Sequence, residues 1–220
     1  MSESRTQVIA IDGPAAAGKG TLARRLADHL GFAYLDTGAL YRAVAARLIE
    51  ARCAIDPQAA ATEASRLTPA DLDRGDLRGD DVAEVASKVA AMPQVRAALL
   101  AFQRNFASRP PANRPGAVLD GRDIATVVCP DAACKLFVTA SLEVRAERRL
   151  KELRERGVKA IHTRVLREMQ ERDARDSQRS VAPLVPARDA VVIDTSTLDA
   201  EHAFAAALEI VEARMPGAHA

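Results

Sequence analysis

The run Ile11-Asp-Gly-Pro-Ala-Ala-Ala-Gly-Lys-Gly-Thr21 constrains this chain more than any other stretch, because the apolar segment Val8 to Ile11 stops abruptly there at residues that pack nothing. Gly13, Gly18 and Lys19 stand at G-x-x-x-x-G-K spacing. Leu22, Leu26 and Leu30 follow at the four-residue spacing of a helix face. Glycines at such a strand-to-helix turn let successive backbone N–H groups form a concave nest, and the helix adds its positive N-terminal end. A lysine at this spacing reaches the outer phosphates of a nucleotide. A plain turn would account for the glycines, but not for the lysine between those two elements. The expected cradle is Gly13, Pro14, Ala15, Ala16, Ala17, Gly18, Lys19, Gly20 and Thr21. Gly20 takes the place where Ser or Thr commonly holds Mg²⁺, with Thr21 next.

A chain of 220 residues supports one domain with inserted pieces. Its net charge of +1 lacks the gross basicity of a nucleic-acid binder, so any anion site must be local. Cys53, Cys129 and Cys134 form neither an even set nor a metal-type pair and read as reduced, small apolar residues. The N-terminal apolar run is too short for a signal segment, and no eighteen apolar residues occur in a row. The expectation is a soluble cytoplasmic protein without membrane or nucleic-acid partners.

Short apolar runs alternate with helical patterns. Val8–Ile11, Phe32–Leu35, Ala117–Leu119, Lys135–Val138 and Val191–Ile193 read as strands. Thr21–Leu30, Ala39–Arg52, Leu142–Glu155 and Asp199–Ala213 read as helices. Strands apolar on both faces predict a parallel sheet in an α/β fold. Residues 57–115 break the rhythm, with helical patterns at Val82–Ala91 and Val95–Phe106 and a proline-rich return to the sheet, so a helical insert is expected. Arg145 to Arg179 holds ten arginines interleaved with acids, the pattern of a salt-bridged helical pair.

One nucleotide at the glycine loop leaves a phosphoryl acceptor to be found. Asp36-Thr-Gly-Ala-Leu-Tyr-Arg42 and Asp120-Gly-Arg-Asp123 follow directly on predicted strands. Residues at strand C-termini of an open parallel sheet line one crevice, so Arg42 and Arg122 should face bound phosphates. Guanidinium forks there stabilise the charge of a phosphoryl group in flight. Asp120 ends a strand where a carboxylate would hold Mg²⁺, directly or through water. A guanine-reading Asn-Lys-x-Asp is absent, since the only asparagines are Asn105 and Asn113.

Together, Ile11 to Thr21, Leu35-Asp-Thr-Gly-Ala-Leu-Tyr-Arg42, Asp120-Gly-Arg-Asp-Ile-Ala-Thr-Val-Val128 and Arg172 to Pro183 resemble the bacterial cytidylate kinases of the nucleoside monophosphate kinase group. The resemblance covers most of the chain. It implies transfer of the γ-phosphoryl group of ATP, with Mg²⁺, to CMP or dCMP. Ser87, Arg96 and Asp123 would read the cytosine edge. Arg42, Arg122 and Arg179 would hold the phosphates, Arg172 and Asp176 would meet the sugar, and Thr37 and Tyr41 would line the acceptor site. Lys19, Arg42, Arg122, Arg179 and Asp120 form the implied catalytic set, with Thr21 and Asp120 toward Mg²⁺. Arg145 to Lys159 would be a lid over ATP, with Arg148 and Arg149 as further candidates. Cytosine offers an N4 amino donor where uracil has a carbonyl, so a carboxylate such as Asp123 would discriminate between them.

The fold expected is a three-layer α/β P-loop domain with a mainly five-stranded parallel sheet. Residues 1–56 and 116–220 would form the core, 57–115 an acceptor-binding insert and about 145–160 a short lid, in a monomer. Leu67 to Asp81 is short, acidic and turn-like where many family members have a longer strand-bearing insert. Ala15 to Ala17 replace the more usual serine or glycine, a change expected to matter little because backbone N–H groups do the cradling.

Overall fold

A computed structural model describes residues 6–179 and 181–217. Its centre is a five-stranded sheet, β1 (Gln7–Asp12), β2 (Ala33–Asp36), β3 (Gly116–Gly121), β4 (Cys134–Thr139) and β5 (Val191–Asp194), all parallel in the order β2-β3-β1-β4-β5. The alternation of side chains along each strand creates the three layers. Ile9 and Ile11 of β1 and Val118 of β3 pack on one face with Leu22 and Leu26 of α1 (Lys19–Leu30) and with Ala207 and Val211 of the last helix. Ala10, Ala117 and Leu119 point to the other face, toward Ala107 and Phe106. Both faces are covered, which is why β1 and β3 are apolar without alternation.

Between β2 and β3 the described residues form helices and their connecting turns: α2 (Thr37–Glu50), α3 (Pro57–Ser65), α4 (Asp80–Val89) and α5 (Pro93–Ser108). Leu40, Val44 and Leu48 of α2 meet Val85, Val89, Val95 and Leu99 in a core separate from the sheet. The acidic segment between α3 and α4 forms two short 3₁₀ turns. Asp71 accepts from both the backbone N–H and the hydroxyl of Thr68 at 2.8 Å and from Arg47 at 3.3 Å, so its acids are used in turn closure.

After β4, α6 (Leu142–Glu155) and α7 (His162–Ser177) pack as a pair through Ala146, Leu150, Leu153, Val165 and Met169. Their outer arginines make exposed i,i+4 pairs such as Arg164–Glu168, as a solvated helical face should. Arg145 departs from that pattern: it is buried and reaches Asp173 of α7 at 2.7 Å and the Ala15 carbonyl of the glycine loop at 3.4 Å. The chain closes with β5 and α8 (Ala200–Arg214), the latter laid against α1 and β4.

Of the three loop residues with positive φ, Gly13, Ala16 and Gly18, two bear on the packing of the loop. Gly13 has φ of +145°, and a Cβ added there would lie 1.9 Å from the Val138 carbonyl oxygen of β4, so the loop leaves the sheet in direct contact with its neighbour. Ala16 sits at φ +59°, a left-handed conformation costing a residue with a Cβ about 1–2 kcal/mol. Of the three loop alanines, Ala16 alone has this conformation, which a glycine would adopt without that cost. Gly13→Ala should force the loop off β4, costing about 3 kcal/mol or more and lowering the melting temperature by roughly 6–12 °C. A thermal melt within 2 °C of the parent would mean that the contact is not rigid.

Candidate active site

Lys19 is the first residue of α1, so the loop geometry aims it along the carboxyl edge of the sheet, where it is 6 % exposed and donates to the Pro14 carbonyl at 2.8 Å. Burial, followed by the nearby Arg122 guanidinium, lowers its pKa well below the ordinary lysine value, while Asp120 and Asp12 act in the opposite direction. A cation under that pressure is stabilised by any anion placed beside it.

Four arginines surround the same space. Arg42 comes from the second turn of α2 and holds Asp36 at 2.5 Å; Arg122 follows β3 and donates through Nε to Asp176 at 2.9 Å; Arg172 and Arg179 come from α7 and the residues just beyond it. Arg179 also bonds Asp176. Burial alone would raise the Asp176 carboxyl, but Arg122, Arg179 and Arg172 outweigh it and hold the group below the usual range. The protein compensates this charge only in part. Nε of Arg42, Arg172 and Arg179 are buried without a hydrogen-bond partner among the described residues. Burial, with Arg122 next, brings the Arg172 guanidinium down to about 10. Buried orphan donors cost about 1–3 kcal/mol each, and convergent guanidinium donors match phosphate oxygens.

Across from them stands Asp120, the penultimate residue of β3. Its Oδ2 accepts from the Tyr34 hydroxyl at 3.1 Å, and burial, followed by the charge of neighbouring Asp36, raises its pKa to about 6. A Cβ on Gly20 would stand 3.3 Å from the same oxygen, so the glycine keeps that approach open. Among the described residues no cluster of three or more metal-ligating side chains forms. The site nevertheless fits Mg²⁺, which is usually held by one or two carboxylates, water and substrate phosphates. Thr21, by contrast, is exposed and does not line the cavity, because two residues after Lys19 the helix turns it to the outer side of α1. Of the expected pair Thr21 and Asp120, only Asp120 lines the cavity, with Asp36 beside it.

The far end of the space is built differently. Asp123 and Arg96, both buried, pair with each other, and Arg96 also donates to the Ala90 carbonyl at 3.1 Å and lies over the Tyr41 ring at 5.8 Å. Ser87 on α4 accepts from Arg175 of α7 at 3.3 Å. A carboxylate, a guanidinium, a hydroxyl and a ring face make up the donor and acceptor set that a planar polar base requires.

One cavity of about 360 Å³ joins both ends. It is lined by Lys19 and Asp120, and by every residue expected at the acceptor: Thr37, Tyr41, Arg42, Ser87, Arg96, Arg122, Asp123, Arg172, Asp176 and Arg179. Ala15, Ala16 and Gly20 represent the loop there, whereas Gly13, Pro14, Ala17 and Gly18 form its supporting turn. Arg148 was expected near ATP, but its guanidinium binds the Thr195 hydroxyl at 2.9 Å and carbonyl at 2.6 Å. Arg149, one residue on and turned by a third of a helical circle, lines the cavity instead. Sequence reasoning missed Asp12, Tyr34, Asp36 and Thr195 as supporting groups; only the position of Asp12 and Asp36 at strand ends could have suggested two of them.

The raised Asp120 carboxyl yields a signed expectation. Its folded pKa lies above the ordinary 3.8, so the stability contributed by the protonated group is complete below about pH 4 and is lost as pH rises through about 6. Without metal or nucleotide, Asp120→Asn should therefore be more stable than the parent by on the order of 1–3 kcal/mol at pH 7–8, with the difference vanishing near pH 4. Thermal melts at pH 4, 6 and 8 check this, and an advantage that does not grow with pH would sink it.

The cytidylate kinase family profile matches residues 9–213. A cytidylate kinase of Paramagnetospirillum magneticum is 66% identical over 207 residues, spanning 93% of this chain and 97% of the relative. Those of Rhodospirillum rubrum and Methylocella silvestris are 60% and 59% identical, each over 93% of this chain and over 96% and 94% of their own lengths. Among solved structures, an uncharacterized protein from Eubacterium ventriosum superposes with a TM-score of 0.54 at 14% identity, covering 94% of this chain and 99% of its own. A sugar kinase from Janibacter superposes at 0.50 and 15%, covering 98% and 99%. At those identities the likeness concerns the fold alone. The agreement of loop, arginines and base-end cluster with relatives matched over nearly their full length places the chain in the cytidylate kinase family.

Proposed function

We propose that the chain transfers the γ-phosphoryl group of ATP to CMP or dCMP, giving ADP and CDP or dCDP. The observation that carries this reading is the single cavity with two chemically distinct ends, orphan guanidinium donors with Lys19 at one and the Asp123–Arg96–Ser87 cluster at the other. A nucleoside monophosphate spans such a site, with its phosphate among Arg42, Arg122 and Arg179, its sugar near Arg172 and Asp176, and its base toward Asp123.

In the reaction, an oxygen of the acceptor phosphate forms a bond to the γ-phosphorus of ATP while the bridging β–γ oxygen leaves with its electron pair. Charge then concentrates on the equatorial oxygens. Lys19 and the arginines are already in place to meet it, so little reorganisation is needed. Mg²⁺, held by Asp120 near Asp36, would neutralise the donor phosphates. Tyr34 orients Asp120. The α6–α7 pair, with Arg149 facing the cavity, would act as the lid that keeps water from taking the phosphoryl group.

At the base, the N4 amino group of cytosine donates to the Asp123 carboxylate. Uracil would place a carbonyl there, leaving two acceptors facing each other in a buried site. The discrimination expected is about 10- to 100-fold or more.

A coupled assay for ADP release with CMP, dCMP, UMP, AMP and GMP tests the reading. CMP and dCMP should dominate, and Lys19→Ala should lower kcat by roughly 10²- to 10³-fold, the usual effect of removing one electrostatic stabiliser of the transferring group. Asp123→Ala should narrow the preference for CMP over UMP by about tenfold or more. If no monophosphate raises ADP release above the rate with ATP alone, the acceptor assignment fails and slow nucleotide hydrolysis becomes the better account.

A further inference from the structure

Asp12 takes no part in the scheme above and does not line the cavity, yet it is only 2 % exposed and sits where the phosphate loop begins. It is the last residue of β1, aligned in the sheet with Gly121 of β3. Each carboxylate oxygen accepts one backbone N–H at 2.8 Å, Oδ1 from Ile124 and Oδ2 from Ala125. Those two residues open the π-helical turn Ile124–Val128, whose Val127 and Val128 N–H groups return to the Asp123 carbonyl at 2.9 and 3.2 Å. The segment carrying Arg122 and Asp123 is thus tied, by two short bonds just beyond it, to the strand from which the loop springs.

This arrangement is costly. Among the described residues no side-chain cation forms an ion pair with Asp12, and burial raises its carboxyl to about 6 even though both N–H bonds and the more distant Lys19 favour the ionised form. Asparagine would be cheaper to bury but offers one acceptor oxygen in place of two. Its amide N–H₂ would oppose one of the two backbone donors.

We infer that Asp12 is a positioning residue for base recognition: its carboxylate sets the place of Asp123 and Arg122 relative to the phosphate loop, although it touches neither substrate. The inference rests on the reading of Asp123 as the group that meets the cytosine amino group.

The test compares Asp12→Asn, Asp123→Asn and the double variant in the ADP-release assay, with kcat and KM measured for CMP, UMP and ATP and a thermal melt for each protein. Asp12→Asn should stay folded, lower the CMP-over-UMP ratio of kcat/KM about tenfold or more and raise the KM for CMP, while the KM for ATP moves less than threefold. Because Asp12 acts through Asp123, the double variant should resemble Asp123→Asn alone. A ratio within twofold of the parent for Asp12→Asn, beside a collapsed ratio for Asp123→Asn, overturns the inference and leaves the base reading intact. Effects that multiply in the double variant, or KM values for ATP and CMP that rise together, overturn it as well. An unchanged ratio for Asp123→Asn removes the base reading, and the role given to Asp12 with it. Should Asp12→Asn fail to fold, Asp12→Glu keeps both acceptor oxygens but pushes the turn outward, and is read by the same ratios.

Discussion

Lys19, Arg42, Arg122, Arg172 and Arg179 meet in one cavity at the carboxyl edge of the sheet, and like charges so close repel strongly wherever water is excluded. The surrounding architecture can be understood from how that repulsion is contained. Asp176 takes two of the guanidiniums, Asp36 takes a third, and the orphan Nε groups remain for an anion. Full internal neutralisation would close the site to phosphates. A site with fewer internal acids would be harder to fold.

The parallel sheet makes this gathering possible. All five strands end at the same edge, so β1 delivers the loop, β2 delivers Asp36, and β3 delivers Asp120, Arg122 and Asp123 to one crevice without any long excursion of the chain. The helices between β2 and β3 keep their own core on α2 and supply the polar far wall through Ser87 and Arg96. The Asp123–Arg96 pair joins that wall to the residues after β3, and the buried Asp12 carboxylate ties the Ile124–Val128 turn to the end of β1.

Much of this was legible beforehand, for particular reasons. The strands were visible because burial on both faces leaves unbroken apolar runs, and the loop because few residue types can form a phosphate nest. Arg42 and Arg122 could be placed from their position just after strands. Ser87, Arg96 and Asp123 were different: helical periodicity does not reveal which polar residue turns inward, and their expected roles came from resemblance to a family. Arg148 and Arg149 show the limit most clearly. Adjacent and chemically identical, they differ by one helical step, and only the docking of α6 sets one against Thr195 and the other into the cavity.

The sequence by itself determined the α/β class, the strand-loop-helix cradle around Lys19 and the helical character of residues 57–115, because each depends on local pattern and on conformations open to few residue types. Tertiary structure alone decided the strand order, the pairing of Asp123 with Arg96, the exclusion of Thr21 from the cavity and the left-handed strain at Ala16. It also decided that Asp12, an ordinary strand-ending acid to the eye, clamps a turn more than a hundred residues away. Such features arise from long-range packing, where the identity of a residue says what it can bond to but not what the fold will bring within 3 Å of it.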